Sequence, residues 1–314
     1  TRAADTMVDL VANTEAIIGG AIWANSSADY PTGTGTYHSF VRMQAKGVEK
    51  GYNSNYRLVQ FDEETNDNFN RAVKLSRVPL LEVGGIQYRE LLLDINQVSS
   101  KQELSLDVFQ VWLTNNPNIT NYDAVAYTFG SDAVKVYDIL GYWIKMDGSG
   151  SGADNYRVLI PQSVFTGKTE QYIVIFAQHG GNGGFEANGG FEEWGARAVD
   201  LGHLRISKSF VYTGVLGFDP TTMVPAEVNV RIVGPSFPAP GIVTTLTASE
   251  GWTKLFEDIA LGAYTITEES LGVSWNVNVS PTPANVAKDT TTVVTITNTY
   301  VPGALKVNKA VVLG

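Results

Sequence analysis

The chain has 314 residues with no cysteine, a formal charge of −10, 44% apolar side chains and only 17% charged ones. That length accommodates two domains with cores of their own. The missing cysteines exclude disulfides and thiolate metal centres, and the acidic balance argues against a nucleic-acid partner.

Thr, Ser, Asn and Gly are abundant, a composition that suits extracellular β proteins. No apolar run approaches a membrane span, so no membrane insertion is expected. No basic leader precedes an apolar core, so an exported protein would be seen here in mature form, after signal-peptide removal.

In chain order, Met7–Asn13 reads as a short helix or strand and Ala16–Trp23 as a strand. Pro31–Thr36 is a turn signal, and a strand follows at Ser39–Gln44. Gly51–Arg57 and Asp62–Asn68 are polar loop material. Strands are predicted at Ala72–Leu75, Leu80–Val83, Tyr88–Ile95, Leu104–Leu113, Ala124–Phe129, Val134–Ile139, Trp143–Met146, Tyr156–Ile160 and Gln171–Gln178. Pro161–Phe165 has room for one helical turn. Many short strands without a sustained helical period indicate an all-β, jelly-roll-like sandwich over residues 1–195. Gly180–Gly195 reads as a long glycine-rich loop anchored by Trp194, and residues 196–202 as a linker. This half resembles uncharacterised exported proteins of bacterial surfaces at Glu90–Gln97, Leu104–Trp112, Gly148–Asp154 and Gly190–Trp194. The resemblance implies an exported β-sandwich and no activity.

Several groups in this half invite a chemical reading. Asp94, Asp107, Glu192 and Glu193 are carboxylates of the kind a glycosidase pairs, although carboxylates at strand ends ordinarily bind water or loop amides. His38, His179 and His203 share no metal-ligand spacing, and no metal site is expected. The loops Asp147–Asp154 and Asp62–Asn68 are oxygen-rich enough for calcium, but neither has EF-hand spacing and both read first as turns. No other cofactor is expected. Trp23, Trp112, Trp143 and Tyr142 would make a sugar platform if exposed, and core otherwise. Asn25, Asn118 and Asn278 fit the N-glycosylation pattern.

Past residue 202 the alternation is cleaner. Strands are predicted at Leu204–Val211, Glu227–Val233, Ile242–Thr247, Thr253–Phe256, Ala263–Glu268, Ser274–Val279 and Thr291–Tyr300, an immunoglobulin-like sandwich over residues 203–300. Three of these strands carry a residue that can do chemistry: Lys208, Glu268 and Asn298. Glu269 adjoins Glu268, but alternation puts it on the opposite face.

Gly202–Tyr300 resembles the SpaA-type (CnaB-type) prealbumin-like domains of bacterial pilins and surface adhesins. The resemblance rests on the lysine of the opening strand, on Gly262–Glu268 and on Ile296–Tyr300. It implies an intramolecular isopeptide bond between Lys208 and Asn298, with Glu268 as the catalytic acid. The chemistry is sound on its own terms. Burial favours a neutral amine nucleophile and a protonated carboxyl, and fixed geometry replaces a bimolecular encounter. Without a bond, the same residues make a buried ion pair beside a turn asparagine.

Gly303–Val312 repeats Gly202–Val211, setting Lys309 over Lys208. Residues 301–314 are therefore either the start of a further tandem repeat or a strand donated head-to-tail to a neighbouring copy, with Lys309 a candidate for a cross-link between units. The reading is an extracellular, cell-surface structural protein and not an enzyme: a stalk, pilus or fibre subunit with a surface ligand or glycan as further partner. The alternative is a carbohydrate-binding or carbohydrate-cleaving module carried on such a stalk.

Overall fold

The computed structural model describes residues 5–30, 37–150, 155–188, 190–197, 199–212, 224–269, 271 and 275–301. The chain divides into two compact units, Thr1–Val199 and Asp200–Gly314. Residues 302–314, with the repeated strand and Lys309, lie outside the described residues.

The first unit contains β1 (Thr6–Asp9), β2 (Glu15–Ile18), β3 (Ala21–Asn25), β4 (Tyr37–Met43), β5 (Glu49–Tyr52), β6 (Val73–Lys74) and β7 (Leu80–Val83). It continues with β8 (Ile86–Asp94), β9 (Glu103–Thr114), β10 (Val134–Asp138), β11 (Tyr142–Asp147), β12 (Tyr156–Pro161), β13 (Tyr172–His179) and β14 (Glu192–Arg197). One sheet runs β2-β3-β12-β8-β14-β4 and the other β1-β11-β9-β13-β5. Number β4, β5, β8, β9, β11, β12, β13 and β14 as strands one to eight. The sheets then contain the orders 1-8-3-6 and 2-7-4-5, the double Greek key of a jelly roll, so the expected fold is the observed one. The main core lies between the sheets, around Trp23, Phe109 and Trp194. A smaller core of Tyr52, Trp112, Tyr122, Phe129 and Phe176 lies on the other face of β9 and β13.

Local chemistry changes several expected boundaries. Ala16–Trp23 is not one strand but parts of two, joined by Gly19-Gly20 with φ +56° and +84°, the left-handed pair that a two-residue hairpin needs. Ala124–Phe129 is a turn, because Asp123 Oδ1 accepts the amides of Val125 and Ala126 at 2.8 and 2.9 Å and so competes with strand pairing. Glu49–Tyr52, too polar to show an alternating pattern, is a strand because β13 supplies its partner. Gly180–Gly195 is less a loop than a close-packed crossing. A Cβ at Gly190 would stand 1.6 Å from the Asn96 carbonyl oxygen, and one at Gly180 would stand 2.0 Å from that of Gly47. Between residues 196 and 202, β14 runs to Arg197 and the next strand begins at Leu201, whose carbonyl accepts the Asp289 amide at 2.9 Å.

The second unit contains β15 (Leu201–Val211), β16 (Glu227–Gly234), β17 (Phe237–Thr247), β18 (Thr253–Ala260), β19 (Gly262–Glu268), β20 (Trp275–Ser280), β21 (Ala284–Val286) and β22 (Thr291–Tyr300). Two four-stranded sheets, β18-β15-β22-β20 and β17-β16-β19-β21, pack face to face as a sandwich. The first strand, β15, and the last, β22, are parallel neighbours in register from His203↔Thr291 to Val211↔Thr299. Leu204, Ile206, Val294 and Ile296 fill the core from these two strands.

Candidate functional site

The apolar side of β15 runs Leu204, Ile206, Lys208, and that of β22 runs Val294, Ile296, Asn298. Each strand therefore spends a core position on a polar side chain near the same end of the sandwich. In the parallel register Lys208 faces Ile296 and Phe210 faces Asn298. Lys208 and Asn298 are thus diagonal neighbours on one face, within reach of long side chains. Glu268 arrives from the opposite sheet as the last inward residue of β19, after Tyr264 and Ile266.

The three side chains meet. Lys208 Nζ is 3.0 Å from Glu268 Oε2, with both side chains fully buried. Asn298 Nδ2 donates to Glu268 Oε1 at 2.6 Å. One carboxyl group therefore touches the amine with one oxygen and the amide with the other. Asn298 Oδ1 has no hydrogen-bond partner, and Lys208 Nζ, although close to the carboxyl, lacks hydrogen-bond geometry. Burial, partly offset by Glu268, holds the Lys208 ammonium below the usual lysine range. Glu269 points outward to Arg231 at 4.0 Å.

Aromatic rings close this end of the core. The Phe210 ring lies 4.5 Å from Nζ and packs against Trp252 and Trp275 at 5.1 and 5.5 Å. Trp275 in turn meets Tyr300 at 5.4 Å. Sequence reading did not single out Phe210, Trp252 or Trp275 for this role. The available signal was Phe210, two positions beyond Lys208 and so on the same face.

Of the four carboxylates singled out in the first unit, Asp94 and Glu193 face each other across β8 and β14. Asp107 accepts the Gly181 amide at 2.6 Å and Asn182 Nδ2 at 2.8 Å. Glu193 pairs with Arg42 at 2.8 Å. Glu192 points into the sandwich and accepts a hydrogen bond from Gln97. There it joins a buried group that sequence spacing could not reveal, since its members come from β5, β13 and β14. His179 Nδ1 lies 3.1 Å from Glu49 Oε1, both fully buried. Burial pushes the Glu49 carboxyl up to about 7. Burial, reinforced by Glu49, pushes Glu192 up to about 9. Burial also holds His179 below the ordinary histidine range.

His203 Nδ1 accepts the Asp258 amide at 3.2 Å, and His38 lines a surface cleft. Among the described residues no three His, Asp or Glu side chains form a metal-holding group. Residues 151–154 of one calcium-candidate loop lie outside the described residues. In the other, Asp62 accepts the Lys50 amide and Asp67 pairs with Arg57. Trp23 and Trp112 are core residues, while Tyr142 is partly exposed.

No family model and no curated protein matches the chain. Solved structures do. A single B repeat unit of the collagen-binding surface protein Cna of Staphylococcus aureus is 12% identical, covers 68% of this chain and 100% of its own, and has a TM-score of 0.25. An adhesin of Mobiluncus mulieris containing intramolecular disulfide, isopeptide and ester cross-links is 14% identical, with coverages of 73% and 98% and a TM-score of 0.26. The minor pilin of Streptococcus agalactiae is 12% identical, with coverages of 74% and 92% and a TM-score of 0.25. At these values they are structural likenesses only.

Proposed function

We propose that this chain is an extracellular structural subunit of a surface stalk or fibre, and that its second unit staples itself by an amide bond between Lys208 and Asn298. The observation that carries this reading is the Glu268 carboxyl, in contact with both the amine and the amide inside a core closed by aromatic rings.

Two buried ions in this setting are costly, because desolvation opposes their attraction. Transfer of a proton from Lys208 Nζ to Glu268 Oε2 leaves a neutral amine and a carboxylic acid. An ionised carboxyl selects the Nδ2 side of the Asn298 amide, whereas a protonated one selects Oδ1. The amide then turns, and the acid polarises its carbonyl. The Nζ lone pair attacks Asn298 Cγ, and the carbonyl electron pair moves to Oδ1. The proton lost by the amine reaches Nδ2 through Glu268. The Cγ–Nδ2 bond breaks, ammonia leaves, and the carbonyl re-forms. Atoms and charge balance without an oxidant or cofactor, and each chain reacts once. The product contains no buried ion.

Intact-mass measurement tests the proposal. The expected mass is that of the sequence less one ammonia, restored in full by Lys208→Met or Asn298→Ala. A full mass in the unaltered chain, or a deficit that persists in both variants, refutes it. Head-to-tail assembly through residues 301–314 rests on their sequence repeat alone. Ladders or fibres of native material that vanish on deletion of 301–314 support it, and discrete monomers of the unaltered chain count against it.

A further inference from the structure

The first unit carries a feature that the stapling chemistry of the second does not use. Strand β4 is the edge of its sheet. Its pairing with β14 skips one residue, since Trp194 and Gly195 oppose Val41 and Ser39. Phe40 is therefore a bulge residue, and bulges re-aim neighbouring side chains. Beyond it, Gly195 and Ser39 share the outer face with Glu193 and Arg42. A cleft of about 390 Å3 opens beside the start of β4, between Tyr37–Ser39 and Asp67–Phe69. That volume lies within the range of small-molecule sites.

We propose that this cleft binds a neutral saccharide unit. The first support is Ser39, which is only 7% exposed and lines the cleft, yet its hydroxyl has no hydrogen-bond partner. Buried hydroxyls are ordinarily paired, so a ligand hydroxyl is a fitting partner. The second support is charge balance. Glu193 is matched by Arg42 at 2.8 Å, and Asp67 is matched by Arg57. These carboxylates offer acceptor oxygens whose charge is already matched, so they do not select a cation. Arg71 adds a donor on the same wall, held by its own bond to the Ser39 carbonyl at 2.9 Å. Sugar hydroxyls both donate and accept, and such a mixed lining serves both roles.

The third support is a fixed apolar surface. The Arg42 guanidinium stacks 3.3 Å from the Phe69 ring centre. The Tyr37 hydroxyl is anchored on the Glu193 carbonyl at 2.8 Å, over the missing side chain of Gly195. Two rings set among paired polar groups match a pyranose, which has C–H faces and a hydroxyl rim. The walls are prebuilt, since the Arg71 amide also donates to the Phe40 carbonyl at 3.0 Å.

Saturation-transfer NMR on the full chain tests this with glucose, galactose, mannose and N-acetylglucosamine as neutral probes. N-acetylneuraminic acid and glucosamine serve as anionic and cationic counterparts. At least one neutral sugar should bind, and should outcompete both charged ones. Ser39→Ala and Asp67→Ala should each weaken it about three- to tenfold, the loss of one hydrogen bond. Asp67 is exposed, so its variant remains informative even if Ser39→Ala impairs folding. The proposal is overturned if no neutral probe binds at roughly 10 mM, where a Kd well above that level implies almost no free energy of recognition. It is equally overturned if a charged sugar binds best, or if neither variant changes the affinity.

Discussion

Removing the Lys208–Glu268 pair distinguishes a bond from an ion pair by the sign of the stability change. In the double variant Lys208→Met/Glu268→Gln, the methionine keeps most of the lysine's volume and the glutamine keeps a hydrogen-bonding group against Asn298. If the two strands are covalently joined, the unaltered unit carries a closed loop of about 90 residues, whose lost unfolded-state entropy is worth roughly 4–5 kcal/mol. For a domain of this size that corresponds to a fall in melting temperature of roughly 20–35 °C in the variant. If there is no bond, the variant replaces a buried ion pair by neutral groups, a change that is commonly neutral or stabilising by about 1–4 kcal/mol. The assay is calorimetry of the second unit's transition in both proteins, with intact mass on the same samples. A variant that melts at or above the temperature of the unaltered chain refutes the staple.

The staple also predicts a mechanical result. Because β15 and β22 are parallel, pulling on the ends of the unit loads them in shear, and a Lys208–Asn298 bond keeps the intervening chain out of the force path. Single-molecule pulling should show no release of that segment in the unaltered protein. Lys208→Met should release about 300 Å of extended chain, and an equal release from both proteins would contradict the bond. Opening the aromatic closure with Phe210→Ala should let water reach Nζ. Bond formation, followed by mass after synthesis, should then slow about tenfold for each pKa unit the amine recovers; an unchanged rate would show that Phe210 does not exclude water.

The buried group of the first unit predicts a pH dependence. Glu49 and Glu192 have folded values of about 7 and about 9 against an ordinary value of 4.5, so the folded state binds more protons than the unfolded chain between these limits. Their stabilisation is complete below the unfolded value and is lost as pH rises through the folded ones. His179, held low by burial, acts oppositely and only below its unfolded value of about 6.5. The first unit should therefore lose stability most steeply from about pH 6.5 to 7, where both carboxyls contribute and His179 no longer opposes them, and more gradually, on Glu192 alone, up to about pH 9. Glu192→Gln should flatten that limb in a melting-temperature series, and an unchanged slope would remove Glu192 from the explanation.

The sequence by itself determined the fold class and the faces. Alternation in Leu204–Phe210, Tyr264–Glu268 and Val294–Tyr300 is a local property of the backbone. It places Lys208, Glu268 and Asn298 on the apolar faces of their strands before any partner is known. The same rule separated Glu268 from Glu269, which the structure turns inward and outward. Turn chemistry was only partly legible, because Gly19-Gly20 and Asp123 act through dihedral angles and side-chain hydrogen bonds that hydrophobic patterning does not carry. Only the tertiary structure decided which residues meet. The parallel register of β15 and β22 makes Lys208 and Asn298 diagonal neighbours, and the opposing sheet brings Glu268 between them. The buried association of Glu49, His179 and Glu192, and the cleft at Ser39, arise the same way, from strands far apart in the chain. Alternation along one strand sets a face, but pairing between distant strands is fixed by the packing of the whole sandwich, and no local stretch of sequence contains it.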